Sequence, residues 1–184
     1  MPIDAETLER LRRGIPLKMD ARGEFTLGEE PVTHPRVIEV FRRGLDITAA
    51  GEHQLHVGNQ WCYLTIDDCP LRATAVLASR RGARPLDLRL DDGRRVPLEL
   101  ESVWEEPNRG LRCSVPAIRS GRPLAVRFTN TAQMDLAEWL VWDEDADEVD
   151  DDSDGDSDGV ARPQLDLREL GREQLVVIPT RAPA

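Results

Sequence analysis

The chain predicts an α+β fold of mostly antiparallel β hairpins with two or three short helices, on three observations. Leu86–Leu90 and Val96–Glu101 alternate apolar and polar residues around Asp91-Asp92-Gly93, a strong local hairpin signal. Two other stretches repeat apolar residues every three or four positions, as helices with one buried face do: Val37, Ile38, Phe41 and Leu45, then Phe128, Ala132, Leu136 and Leu140. Finally, Asp143 to Asp158 holds eleven Asp or Glu and no Lys or Arg, and divides the chain.

That acidic run carries the whole net charge. Of 35 acidic residues it takes eleven, leaving 24 against 24 bases, so the formal charge of −11 resides there and the remainder is balanced. Composed of Asp, Ser and Gly with almost nothing apolar, it cannot offset the entropy of ordering and is expected to be disordered. The predicted organisation is an α+β body over residues 1–142, a disordered acidic linker over 143–161, and a tail over 162–184 containing a short strand.

In chain order, Asp4 caps a short helix that runs through Arg13 and stops at Gly14, with Leu8 and Leu11 on one side. Ile15 to Gly28 alternates around Gly23 and reads as a hairpin. Thr33 offers a cap, and Pro35 a first turn, for a helix reaching Arg43. Strands follow at Gln54–Val57 and Trp61–Ile66, the second with Cys62, Leu64 and Ile66 on one face and Trp61, Tyr63 and Thr65 on the other. Leu71–Ala78 is apolar on both faces, the mark of a central strand. Pro97 lacks an N–H, which puts the second strand of the Asp-Gly hairpin at an edge. A strand at Leu111–Val115 and a helix from about Asn130 to Trp142 complete the body. Leu175–Ile178 is a strand expected to return onto its own chain, the alternative being a neighbouring copy.

Several function classes recede on composition. No run of about 18 apolar residues is present, so no transmembrane helix is expected. Acidic, polar residues at the N-terminus do not resemble a signal peptide, and three Cys in this length fit a reducing compartment, which points to the cytoplasm. Of the 24 bases 23 are Arg, but they are interspersed with acids, and with a pI of 4.8 the long-range field repels nucleic acid.

Asp150, Asp152, Asp154, Gly155, Asp156 and Asp158 match the ligand and turn positions of a calcium loop. The twelfth position is Ala161 rather than a bidentate Glu, so the linker reading is preferred. His53, His56, Cys62 and Cys69 lack the paired spacing of a zinc site. Asp67 and Asp68, adjacent at a strand end before Cys69-Pro70, are either turn-capping residues or a carboxylate pair able to exchange a proton. With His34 at a helix start and Trp61 in the preceding strand, they make up the candidate ligand-binding set. No phosphate loop, nucleophile elbow or zinc-protease helix occurs, so no catalytic residue, metal or cofactor is assigned.

The order of an F-T-L-G-E-E-P-V hairpin, a His-Pro-Arg-Val-Ile-Glu-Val-Phe helix, Gly51–Val57 and then Trp61 to Pro70 resembles the bacterial domain-of-unknown-function family 1285. The "W … I-x-V-E-D-x-P" passage of that family is matched by Trp61, Leu64, Ile66, Asp67, Asp68 and Pro70, with Asp67 where Glu is usual. The resemblance covers about residues 15–142. It implies an α+β fold of two similar strand-and-helix motifs, a tendency to oligomerise, a suggested signalling role and no agreed site. The functional expectation is therefore a non-enzymatic regulatory protein binding a small ligand or protein partner. Two alternatives stand beside it: an enzyme using Asp67 and Asp68, with His34, and a scaffold whose acidic run engages a basic partner.

Overall fold

A computed structural model describes residues 4–79, 86–141, 164–166 and 176–180; the acidic run, with its calcium-loop spacing, lies outside them. Helix α1 (Ala5–Arg13) is capped by Asp4, which accepts the Thr7 backbone N–H at 2.8 Å, and closes at Gly14. Strands β1 (Leu17–Met19) and β2 (Phe25–Leu27) pair antiparallel, Leu17 facing Leu27, and β3 (Glu30–Pro31) extends the hairpin. Leu17, Met19 and Phe25 are buried, so the hairpin places one apolar face in the core.

Helix α2 (Pro35–Arg43) begins later than the Thr33 cap predicts, with His34 at the cap position and Pro35 as the first helical residue. The reason is local: a residue before proline is sterically kept out of helical geometry, while proline is well placed at the first turn. Ile38 and Phe41 pack onto the core, and Phe41 meets Phe25 edge-on at 5.3 Å. Three antiparallel strands follow, β4 (Leu45–Ile47), β5 (His53–Val57) and β6 (Gln60–Tyr63). The strand expected to run unbroken to Ile66 changes sheets after Tyr63, and β7 (Thr65–Ile66) pairs parallel with Lys18 and Met19 of β1. The predicted faces survive the break, since Cys62 and Leu64 are buried.

The second half is a six-stranded sheet in the order β10-β9-β8-β13-β12-β11. Its strands are β8 (Leu71–Ala78), β9 (Leu86–Leu90), β10 (Arg95–Pro97), β11 (Trp104–Glu106), β12 (Gly110–Pro116) and β13 (Pro123–Phe128). As expected, β8 is interior and the strand containing Pro97 is an edge. No strand is expected between Val115 and Asn130; β13 lies there, with Leu124, Val126 and Phe128 alternating into the core, and the following helix starts at Asn130 as expected. Thr129 then caps α3 (Asn130–Ala137), whose Ala132 and Leu136 are buried against the sheet. Asp135 of α3 accepts the Val76 N–H at 2.9 Å beside the register shift at Ala73–Ala75, satisfying a backbone donor where the ladder is irregular.

The last helix ends before the predicted Trp142. Its residues Leu140–Val141 form β14, which pairs with β15 (Gln164–Leu165), itself paired with β16 (Val176–Val177). Three-strand pairing with the tail overrides the helical spacing of Leu136 and Leu140. Ile178 is 1% exposed, and the Glu105 N–H donates to Pro179 O at 2.9 Å, so the tail returns onto its own chain. Ile178→Ala is expected to lower stability by about 2–5 kcal/mol, the cost of a buried aliphatic cavity, measured by urea denaturation of the full chain.

Candidate functional site

Trp61 and Tyr63, alternate residues of β6, project opposite to buried Cys62, and this outward pair receives α1. The helix has no fully buried residue. Side-chain tips hold it instead: the Arg12 guanidinium lies 3.9 Å from the Trp61 ring centroid and that of Arg13 3.9 Å from the Tyr63 ring. Arg13 also donates to both Glu52 carboxylate oxygens, at 2.6 and 3.2 Å, a hydrogen-bonded pairing that raises its own pKa and lowers that of Glu52. Trp61 meets Tyr63 edge-on at 5.3 Å and stacks on His56 at 6.0 Å. Burial first, then the charge of Arg119, lowers the His56 pKa against the opposing pull of Asp46.

Beside α1 opens an apolar cleft of about 520 Å³. Six elements contribute: Leu8 and Leu11 from α1, Leu17 from β1, Leu27 from β2, Val37 and Phe41 from α2, Val57 from β5, and Trp61 of β6 in the wall. Leu11 is 54% exposed and Leu27 51%, and Ile15, Val37 and Val57 in the same lining are also exposed. Large apolar side chains left in solvent and gathered on one concavity are the kind of patch that marks binding. Arg12 is the only charged residue among the lining residues, and Gln60 the only amide.

The candidate set does not converge. Trp61 lines the cleft, whereas His34, Asp67 and Asp68 do not. His34 is exposed at the cap position of α2 and makes no side-chain capping bond. Asp67 is exposed, with its backbone N–H on Met19 O at 3.0 Å. Asp68 turns inward. Its carboxylate accepts from Arg112 at 2.5 Å and from Arg127 at 3.2 Å, with Arg109 at 3.9 Å, and Arg112 also meets Glu106 at 2.5 Å and Cys69 Sγ. Burial opposes ionisation of Asp68, but the hydrogen bonds and charges of Arg112 and Arg127 outweigh it and hold the pKa below the usual value. Asp67 is in solvent while Asp68 is committed to Arg112 and Arg127, so the two adjacent carboxylates are not arranged as a proton-sharing pair. Burial pushes the Cys69 thiol up to about 11 and that of Cys113 up to about 12, which makes both poor nucleophiles. Among the described residues, no three His, Cys, Asp or Glu lie together as a metal site, and no helix is long and apolar enough to cross a membrane.

Two solved structures share this architecture. A DUF1285 family protein from Silicibacter pomeroyi DSS-3 is 18% identical with a TM-score of 0.54, covering 86% of this chain and 84% of that one. A second, from Shewanella baltica OS155, is 12% identical with a TM-score of 0.52, covering 68% and 92%. The fold is that of the DUF1285 family proteins. No family model and no curated protein matches the sequence.

Within this DUF1285 fold, sequence reasoning missed most of the cleft. Leu27 and Val57 sit at strand ends, where an apolar residue looks like core, and the apolar side of α1 gives no sign that it faces an open cleft. Arg12 and Trp61 are 49 positions apart, beyond any local pattern. The Asp68 cluster has a definite pH signature. Asp68→Asn is expected to cost about 1.5–3 kcal/mol near neutral pH, because buried Arg112 loses one of its two carboxylates and keeps Glu106, while Arg127 is partly exposed. With the folded pKa below the unfolded one, this contribution is present above the unfolded value and lost as pH falls through the folded one. The difference between parent and variant in urea midpoints should therefore shrink steadily below about pH 4.

Proposed function

We propose that this chain is a non-enzymatic binding protein that takes a small, largely apolar ligand in the cleft beside α1 and serves a regulatory role. The observation that carries the reading is the cleft itself, a concavity built from exposed aliphatic side chains of four separate elements. Its volume, about 520 Å³, falls within the range of roughly 300–1,000 Å³ usual for small-molecule sites. Trp61 supplies a flat aromatic wall, and of the four candidate residues it is the one assigned to the ligand. Catalysis has less support: Asp68 is committed to arginines, and the Cys69 and Cys113 thiols are buried and protonated.

The test is a neutral apolar fluorophore. Nile red is expected to brighten on binding the full chain, and Leu27→Glu should weaken its binding about tenfold or more, since burial of one leucine side chain is worth about 1.5–3 kcal/mol. Leu27 is half-exposed, so the variant should keep the parent's melting temperature. Equal fluorophore affinity for the two proteins would remove the cleft as the site.

A further inference from the structure

We propose that the ligand of this cleft is a free, medium-chain monocarboxylate, its apolar chain on the aliphatic floor and its carboxylate on Arg12; this rests on the cleft reading above. The argument begins with how the three arginines of α1 are used. Arg13 is engaged by Glu9 and Glu52, and Arg10 is exposed and outside the cleft. Arg12 lines the cleft, is half-buried, and has no ion pair among the described residues.

What Arg12 has instead is the face of Trp61, at 3.9 Å. A guanidinium packed against an aromatic face keeps its N–H donors pointing outward in its own plane, and that edge matches the two oxygens of a carboxylate. The ring thus orients the group without consuming its hydrogen-bonding capacity. Elsewhere the lining offers only the Gln60 amide as a strong polar partner, so one charge and one further hydrogen bond are available. A polyanion would leave its remaining charges against aliphatic walls, and a cation would meet Arg12 directly. A neutral amphiphile fills the floor but leaves the guanidinium without a counter-charge. A single negative head on an apolar chain satisfies both parts of the site.

The experiment measures displacement of Nile red from the full chain by octanoate, octanol and octyltrimethylammonium. Octanoate should bind about tenfold more tightly than octanol, the scale of one charge-assisted hydrogen bond, and the cation more weakly than either. Arg12→Gln should bring octanoate affinity down to that of octanol, read as the ratio of the two within the same protein so that any loosening of α1 affects both alike, and Arg12→Lys should retain part of the preference. Because α1 has no fully buried residue, both variants are expected to melt with the parent. Equal binding of octanoate and octanol to the parent would overturn the carboxylate proposal and leave the cleft reading standing; absence of Nile red binding would remove both. Three further results would overturn it: a preference for octanoate that survives in Arg12→Gln, binding to anionic phospholipid vesicles without binding of free octanoate, or a dimer that excludes Nile red and is dissolved by Leu11→Asp, which would assign the cleft to a second copy.

Discussion

The two halves of this chain are joined by buried ions, and the geometry of the rest follows from that junction. Asp68, just after β7, receives Arg112 of β12 and Arg127 of β13. Asp91, in the β9–β10 turn, lies 3.5 Å from Arg42 of α2 and 3.9 Å from Arg72 of β8, and its other oxygen accepts the Arg72 backbone N–H. Arg72 then reaches back to Ala21 O in the turn of the first hairpin, at 2.9 Å. Removing charges from water is costly, and around Asp91 the cost is recovered mainly by opposite charge, since Arg42 Nε, Arg72 Nη1 and Asp91 Oδ2 are buried without a hydrogen bond. The halves therefore have few ways to meet that do not strand a charge.

Gly23 shows how close that approach is. A Cβ there would fall 2.1 Å from Arg72 Nη1, and the residue has a φ of +85°. Two independent constraints, space and backbone conformation, thus require glycine at the hairpin turn. Strand β1 transmits the constraint to the ligand side. Met19 accepts the Asp67 N–H next to the Asp68 cluster, while Leu17, two residues earlier, belongs to the cleft lining. Junction and cleft share one three-residue strand.

What could be read from the sequence was the chemistry of near neighbours. The Asp-Gly hairpin, the edge position of Pro97, the interior position of β8 and the cap of α1 all rest on residues a few positions apart. Strand β13 is hidden because the spacing of Phe128 to Ala132 fits the helix that follows, and masks the alternation of Phe128 with Leu124 and Val126. The departure of β7 from its sheet, and the conversion of Leu140–Val141 to strand, depend on partners far along the chain. The same holds for the carboxylates: Asp67 and Asp68 are neighbours in sequence, but the bend after β7 leaves Asp67 in solvent and turns Asp68 inward, and only the fold supplies the arginines that decide the state of Asp68.

The way α1 is attached has a consequence for the local stability of the molecule. Its contacts are two cation–π stacks and exposed ion pairs, with no fully buried side chain, whereas the sheets below are closed by buried aliphatic residues and long ladders. Regions held mainly by exposed contacts open at a free energy well below that of global unfolding. The first helix is therefore an element of low protection, able to detach and re-form while the core stays folded. Surface ion pairs are also screened by salt, so ionic strength tunes that opening directly.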